Sequence, residues 1–271
     1  MKKMLLLLLL VGALVLMFGS YASAAEKLRV GCECTYFPFN YRTAEGVLTG
    51  YDVDIAKGVL DIIGADFEFV CQKWSGMIPA LLANKFDLIV ASMSITDKRK
   101  IKIDFSIPYR ISVGRFVGKD GANLNLFNAD GSVNEANFKG VKVGLERATT
   151  YANWIEANVP NATVLLYDTS EALYLDLRNG RTDAIMTNPM KAFLRFLSKD
   201  AGKGFGFVSP PLDNPKIFGT GVGIGIAKGR EDLLNRINSA LKTLIKNGSM
   251  EKYSLKYFPF AIHSEKWEGV E

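Results

Sequence analysis

Apolar and polar positions along the chain follow a repeating order of strand and helix. The run KLRVGC at residues 27–32 predicts a buried strand, and residues 51–64 follow with apolar side chains at helical spacing before Gly64 ends the helix. A second strand ends at Cys71, and a helix over residues 75–85 leads to the apolar run FDLIVA. Strands that alternate with helices indicate an α/β architecture with mainly parallel sheets.

This β-α-β-α-β order occurs a second time, between KVGLE at residues 142–146 and TDAIM at residues 182–186. When the two units are aligned, polar residues of the first fall on polar residues of the second: Asp87 on Asp183, Ser92 on Asn188, and Glu33 on Glu146. The recurrence predicts two similar lobes, each a mainly parallel sheet flanked by helices. An amphipathic pattern over residues 231–247 predicts a further helix that packs on the first lobe.

The predicted strands of both units end on polar or aromatic residues. Ligands in open α/β sheets bind beyond the carboxyl ends of the strands. If the two sheets face each other, these strand ends project into one crevice. The extended segments over residues 107–120 and 217–229 connect the units, and they predict a two-segment hinge. The glycines of the second segment are also compatible with an edge strand or a bulge.

The segment ASMSITDKRK, residues 91–100, places hydroxyl side chains directly after a predicted buried strand. Such a run before Asp-Lys-Arg is typical of a solvated strand end and a helix cap. Because the segment lies at the rim of the expected crevice, we expect Ser92, Ser94, Thr96 and Arg99 to form a cradle for a carboxylate group. The spacing alone does not separate the cap from the cradle.

The N-terminus has the pattern of a secretory signal. Two lysines precede a long apolar run, and an A-x-A site lies at residues 22–24, so cleavage is expected after residue 24. A membrane anchor is the alternative, because the apolar run approaches the length of a membrane span. Loss of Lys2 and Lys3 lowers the net charge from +5 to +3, a balance that argues against a nucleic-acid partner.

Three cysteines in an exported chain raise the question of a disulfide. Cys32 and Cys34 are too close in an extended strand to bridge each other easily. Cys71 ends a strand that is expected to lie beside the strand ending at Cys32. Cys71 is therefore expected to pair with either Cys32 or Cys34, and three buried thiols are the alternative.

Several motifs together resemble the periplasmic amino-acid-binding proteins of ABC importers, extracellular solute-binding family 3, and in particular its lysine/arginine/ornithine-, histidine- and opine-binding group. The resemblance covers residues 27–260 and is carried by TYFPFNYRTAEGVLTGYDVDIAKGV, WSGMIPALLANKFDLIVASMSITDKRKIKIDFSIPY, GVKVGLERATTY, DLRNGRTDAI, FGTGVGIGI and LIKNGSMEKYSLKYF. It implies the two-lobed periplasmic binding protein type II fold, which closes by its hinge on a small ligand and docks on an inner-membrane permease. It implies no cofactor and no metal, and a monomer in the periplasm.

The resemblance also implies roles for single residues. Arg99 would bind both oxygens of the ligand's α-carboxylate, with Thr150 adding a backbone amide from the other lobe. Aromatic rings would cover the ligand side chain, and Glu33 lies where relatives that prefer cationic ligands carry an acid. The residues expected to contact ligand are Glu33, Tyr36, Trp74, Ser92, Met93, Ser94, Arg99, Arg147, Thr149, Thr150 and Asn188.

The chain departs from the family pattern at Asn188, where relatives carry an aspartate that holds the ligand's α-ammonium. An asparagine keeps an acceptor but loses the ion pair, which would leave an ammonium costly to bury. Opines are one class of ligand that would fit this change, because their amine is substituted and they carry a second carboxylate. Arg147 would then bind that second carboxylate. A solvent-facing Arg147 is the alternative.

The resemblance divides the chain into a signal peptide at 1–24, lobe I at 25–112 and 220–260, lobe II at 113–219 and a tail at 261–271. A dehydratase acting on prephenate or arogenate is the alternative function, because such enzymes resemble the same fold. A sensor ectodomain is a third possibility.

Overall fold

The computed structural model describes residues 27–263. The predicted signal peptide and residues 264–271 of the predicted tail lie outside the described residues. Within residues 27–263, no helix combines the length and the apolar character that a membrane span requires.

Strands and helices alternate through the described chain as the sequence predicts. The strands are β1 (Lys27–Cys32), β2 (Thr35–Tyr36), β3 (Asn40–Arg42), β4 (Leu48–Thr49), β5 (Asp66–Cys71), β6 (Leu88–Ile89), β7 (Asp104–Phe105), β8 (Arg115–Lys119), β9 (Lys142–Glu146), β10 (Thr163–Tyr167), β11 (Ala184–Thr187), β12 (Phe205–Phe207) and β13 (Gly225–Ile226). The α-helices are α1 (Tyr51–Ile63), α2 (Met77–Leu82), α3 (Asp97–Lys100), α4 (Thr150–Asn158), α5 (Ser170–Arg178), α6 (Pro189–Ala192), α7 (Pro215–Phe218), α8 (Glu231–Lys246) and α9 (Ser249–Leu255). Short 3-10 turns lie at Trp74–Gly76, Glu135–Phe138 and Asp200–Gly202, and a π-helical turn lies at Phe193–Leu197.

The first large sheet has the order β5-β1-β6-β13-β7. Strand β1 pairs in parallel with β5 and β6, and β13 runs antiparallel to β6 and β7. Cys32 lies opposite Cys71 in the β1–β5 register, which confirms the predicted parallel pairing of these two runs. A small antiparallel sheet of β2, β3 and β4 follows β1 in the chain.

The second large sheet repeats this arrangement with the order β10-β9-β11-β8-β12. Strand β9 pairs in parallel with β10 and β11, while β8 and β12 are antiparallel additions. The aligned aspartates occupy equivalent positions: Asp87 accepts a hydrogen bond from the backbone amide of Arg29 in β1 at 2.9 Å, and Asp183 accepts one from that of Lys142 in β9 at 2.8 Å. The predicted internal repeat is therefore real in three dimensions.

The chain crosses between the large sheets twice. It leaves the first sheet after β7 and returns to it at β13, so two segments connect the lobes. Backbone bridges join Arg110 to Val222 and Gly114 to Leu212 near the crossings. On this basis we propose lobe boundaries at 112/113 and 219/220.

Each lobe has its own apolar core. In the first, α1 packs with α8 against one face of the sheet, and Gly64, in the left-handed conformation, ends α1 as predicted. The buried face of α1 is centred on Ala56, so Ile62, which recurs with Ile55 and Val59 at helical spacing, lies on the flank of the last turn and is exposed. At the other end of this core, Ile262 is buried and its amide donates to Ser254 Oγ. The packed chain thus extends two residues beyond the predicted end of lobe I.

Of the two pairings that the sequence left open, the structure has the disulfide between Cys34 and Cys71. Cys32 is a buried free thiol whose Sγ lies 3.4 Å from Sγ of Cys34. Burial raises the pKa of the Cys32 thiol to about 12, and the thiolate is the reactive form.

We expect the native protein at about pH 8 to resist alkylation by a maleimide, and to take up one equivalent once it is unfolded without reductant. Mass spectrometry of the labelled protein measures both. Rapid labelling of Cys32 in the folded state would contradict the buried, protonated thiol.

Candidate functional site

The carboxyl ends of both parallel sheets face a cleft between the lobes. Counted together with the space at its opening, the cleft has a volume of about 490 Å³. Residues of both lobes line it, namely Glu33, Tyr36, Trp74, Ala91, Ser92, Ser94, Arg99, Arg110, Ser112, Glu146, Thr149, Thr150, Tyr151 and Asn188. The structure therefore brings together nine of the eleven residues singled out from the sequence.

Arg99 reaches the cleft from the short helix α3. Its Nη1 donates to the carbonyl of Ser94 at 3.0 Å and its Nη2 donates to the carbonyl of Ala148, in the second lobe, at 3.2 Å. The guanidinium lies 5.3 Å from the centroid of the Trp74 ring. Burial lowers the pKa of Arg99 to about 10. The site thus holds a partly buried cation that only neutral groups contact within the described chain.

The hydroxyl and the amide of Ser92 are bonded to the protein itself. Its Oγ donates to the carboxylate of Asp52 at 2.8 Å, and its amide donates to Oη of Tyr109. Burial raises the pKa of Asp52, an effect that Arg110 and the hydrogen bonds to Ser92, Tyr109 and Asn40 oppose. Ser92 has a φ of 54°, in the left-handed region, so this network holds a strained turn at the strand end.

The other hydroxyls of the segment have different tasks. Ser94 Oγ lies 2.8 Å from Oγ of Ser112, and its carbonyl positions Arg99. Thr96 is the N-cap of α3 and accepts from the amide of Arg99, so it is a cap and not part of the cradle. The structure thus confirms the cap at Thr96, and the carboxylate cradle stays a prediction for the other residues of the segment.

The second lobe contributes a helix N-terminus. Thr149 is the N-cap residue of α4, and its Oγ1 donates to the carbonyl of Glu146 at 2.7 Å. Thr150, the first residue of α4, is buried and lines the cleft. The first amides of a helix lack intrahelical partners and favour negative charge. This end of the cleft is suited to an anionic group.

Glu33, Glu146 and Lys191 lie close together at another part of the cleft, where Arg99 is not among the charges that act on Glu33. Lys191 Nζ is 3.3 Å from Oε2 of Glu146 and 3.8 Å from the centroid of the Tyr36 ring. Burial raises the pKa of Glu33 to about 7; the Lys191 ammonium opposes this, whereas Glu146 and Glu171 add to it. This end of the cleft is therefore rich in carboxylate groups.

Asn188 lies where β11 ends and α6 begins. Its Oδ1 accepts a hydrogen bond from the amide of Lys191 at 3.1 Å, so the side chain caps α6 while it also lines the cleft. An amide cap carries no charge. The acidic groups of the site are elsewhere.

Two expected contact residues are not brought to the cleft. Met93 is buried in the apolar core around α2, because it alternates with the cleft-facing Ser92 and Ser94 along an extended segment. Arg147 is exposed, and its Nε donates to Asp168 at 2.7 Å. Asp168 follows β10, the parallel neighbour of β9, and it holds Arg147 at the outer edge of the second sheet.

Sequence reasoning did not assign Arg110, Ser112, Glu146 and Tyr151 to the site. Glu146 was marked only by its alignment with Glu33. The others belong to the first hinge segment and to α4, where no local pattern separates a cleft-facing residue from a packed one. Arg110 is 4% exposed and lies 4.4 Å from the centroid of the Phe39 ring.

The lobes are in contact across the cleft. Ala148, at the turn before α4, accepts hydrogen bonds from both Trp74 Nε1 and Arg99 Nη2 of the first lobe. Lys191 of the second lobe lies over Tyr36 of the first. The structure is that of the closed arrangement. Among residues 27–263, no three His, Cys, Asp or Glu side chains are placed to hold a metal ion.

Comparison with known proteins gives consistent matches over nearly the whole chain. Residues 28–260 match the family of bacterial extracellular solute-binding proteins, family 3. An L-arginine-binding protein of Pseudomonas aeruginosa is 39% identical over 267 residues, which cover 97% of this chain and 99% of the relative. The lysine/arginine/ornithine-binding periplasmic protein of Escherichia coli is 33% identical over 270 residues, covering 98% and 100%. A solved ancestral amino acid-binding protein, a precursor of cyclohexadienyl dehydratase, is 31% identical with a TM-score of 0.72, covering 86% of this chain and 95% of that chain.

Proposed function

The chain belongs to family 3 of the bacterial extracellular solute-binding proteins, and on that premise we propose that it captures a cationic L-amino acid for an ABC importer. Its relatives are amino-acid-binding proteins of such transporters. Capture proceeds by hinge closure: the open form admits the ligand to the first lobe, and the second lobe then closes over it.

The observation that carries the proposal is the environment of Arg99. Its guanidinium lies in the cleft, and in the described chain it bonds only to the carbonyls of Ser94 and Ala148. An arginine offers two parallel donors that fit a carboxylate, and Arg99 is a partly buried cation without a counter-ion in the described chain. An α-carboxylate would supply that counter-ion, with the amides at the start of α4 binding the same group.

The acidic end of the cleft supports a cationic side chain. Glu33 and Glu146 both line the cleft, Trp74 lies beside Arg99, and Tyr36 offers an aromatic face. An amino acid whose carboxylate is bound to Arg99 would direct its side chain toward the acids. An opine would need a further cationic group for its second carboxylate. Arg147 is engaged with Asp168 outside the cleft, and Arg110, which lines the cleft, is engaged with the Phe39 ring and the carbonyl of Ile111.

The binding of L-arginine is expected to depend on pH through Glu33. Its pKa of about 7 in the unliganded protein means that the carboxyl group is protonated below that pH. A bound cation favours the ionised form, so binding releases a proton, and the affinity should fall about tenfold per pH unit below 7. Calorimetry between about pH 5.5 and 8.5 measures this, with the uncharged analogue L-citrulline as control. Equal affinities for arginine throughout would contradict the role of Glu33.

The substitution Asn188→Asp is expected to improve the affinity for L-arginine and L-lysine by about tenfold, because a carboxylate forms a stronger hydrogen bond to the α-ammonium than an amide does. An aspartate also retains the cap of α6. Calorimetry of the variant beside the native protein tests this. Tight binding of both ligands by the native protein, with no gain in the variant, would show that the ammonium is already satisfied.

We propose that capture involves no chemistry on the ligand. The likeness to a precursor of a dehydratase makes the enzyme the second candidate, and the pair Glu33 and Glu146 would be its acids. Incubation with prephenate and arogenate separates the two functions. The binding function predicts no product by absorbance, whereas turnover above the uncatalysed rate would establish the enzyme.

The partners and the location follow from the same proposal. The N-terminal signal would be cleaved, and the mature protein would act as a monomer in the periplasm that presents its closed form to an inner-membrane permease. Light scattering of the exported protein and sequencing of its N-terminus test these two points.

A thermal-shift screen of the twenty amino acids and of opines tests the proposed function directly. A ligand that binds only the folded state raises its apparent stability with concentration. We expect arginine or lysine to give the largest rise in Tm. Calorimetry should then give a micromolar dissociation constant, which corresponds to a binding free energy of about 8 kcal/mol. A screen without any stabilising amino acid would overturn the proposal.

A further inference from the structure

The Lys191 ammonium is a buried cation behind the acidic end of the cleft. The residue is 1% exposed, and its Nζ has two partners, Glu146 at 3.3 Å and the Tyr36 ring at 3.8 Å. Both partners line the cleft. The buried ammonium of Lys191 therefore contacts the cleft only through these two lining residues.

We propose that Lys191 determines specificity through Glu146: it cancels the charge of Glu146, so that Glu33 is left as the acid for one positive charge on the ligand. This inference rests on the proposed function, because it concerns which amino acid that same cleft accepts. Lys191 positions and neutralises Glu146, and it does not itself touch the ligand.

The balance of charge supports this role. The groups that face Glu33 are the carboxylates of Glu146 and Glu171, the Lys191 ammonium and the hydroxyl of Thr35. Glu171 has its own partner in Arg195, at 3.8 Å. With Glu146 paired to Lys191, an ionised Glu33 and one ligand cation make this end of the cleft neutral. Without Lys191, two acids would remain for a single ligand cation.

The local structure fixes Lys191 in this place. Asn188 caps α6 by accepting from the amide of Lys191, which sets the direction of its side chain at the first turn. Tyr36 belongs to β2, in the first lobe, whereas Lys191 belongs to the second. The contact between them therefore forms across the cleft, whereas the pair of Lys191 and Glu146 lies within the second lobe.

Three variants test the proposal by the ratio of affinities for L-arginine and L-citrulline, which differ in charge at similar length. Lys191→Met leaves Glu146 uncompensated and should shift the ratio toward arginine by about tenfold. Glu146→Gln leaves Lys191 uncompensated and should shift it toward citrulline by a similar factor. The double variant removes the pair as a whole and should return the ratio to within about threefold of the native value.

Lys191→Arg is the matched control, since it keeps the cation and should leave the ratio nearly unchanged. Single variants that shift the ratio in the same direction, or a double variant that departs from the native ratio by about tenfold or more, would overturn the proposal. An unchanged ratio in a folded single variant would overturn it as well. If one single variant fails to fold, the other still decides, because each has its own expected direction of shift. Failure of the native protein to bind any amino acid would instead overturn the proposed function.

Discussion

Replacement of Arg99 by alanine is expected to weaken the binding of L-arginine by about 100- to 1000-fold, the largest effect of any single change in the cleft. The guanidinium supplies two charge-assisted donors from one side chain, and no other cation stands at that end of the cleft in the described structure except Arg110. Arg110 is directed to Phe39 and to the carbonyl of Ile111. It cannot take over the same geometry without leaving both contacts.

Arg99→Lys is the informative companion. A lysine keeps the charge but loses the planar fork, so its affinity should lie between those of the native protein and the alanine variant. If the site needed only positive charge, the lysine variant would bind as well as the native protein.

The fold should survive both changes. Arg99 is partly exposed, its guanidinium contacts two carbonyl groups and the Trp74 ring, and it belongs to none of the apolar cores. Circular dichroism and thermal unfolding without ligand should therefore change little, while calorimetry shows the loss of binding. An alanine variant that binds arginine with native affinity would show that the carboxylate is held elsewhere.

Replacement of Glu33 by glutamine is expected to weaken L-arginine binding by about thirtyfold or more, because truncating one partner of a desolvated charge pair costs about 2 kcal/mol or more. The binding of L-citrulline should change by less than about threefold, because its side chain carries no charge. The ratio of the two affinities, measured by calorimetry, isolates the charge from any general damage to the cleft.

Glu171→Gln is the matched control for this variant. Glu171 is a second acid that acts on Glu33, but it is half exposed and pairs with Arg195 at the start of α5. Its loss should change arginine affinity only slightly. Equal losses in the two variants would mean that the overall negative potential of the lobe, and not Glu33, attracts the ligand.

The repeat in the sequence predicted the architecture because it reflects packing that both lobes need. Asp87 and Asp183 each accept a hydrogen bond from a backbone amide of the neighbouring strand, so the same residue type recurs at the same place. The parallel pairing of β1 and β5 was likewise predictable, since both are short apolar runs on either side of a helix. Lobe boundaries, which depend on where two extended segments cross, are less marked in the sequence.

The role of Ser92 was predictable only in part. Its position after a buried strand indicated the rim of the cleft, and the structure places it there. Its hydroxyl, however, donates to Asp52, which is forty residues earlier in the chain and belongs to α1. A contact of that range leaves no local pattern, so the sequence suggested a ligand contact where the structure has an internal hydrogen bond.

Arg147 and Lys191 also have positions that the local sequence does not predict. Arg147 follows a strand, as Glu33 does, but the register of β9 with β10 places it beside Asp168 and away from the cleft. Lys191 is a single lysine in a short helix, where solvent exposure is the usual expectation. Its burial follows from two partners in distant segments, Tyr36 and Glu146.

A crystal structure of the protein with L-arginine tests the central claim most directly. We expect the lobes closed, with both carboxylate oxygens of the ligand about 3 Å from the guanidinium nitrogens of Arg99 and its side chain directed toward Glu33. A ligand whose carboxylate is bound by other residues, with the Arg99 guanidinium turned to bulk solvent, would contradict it.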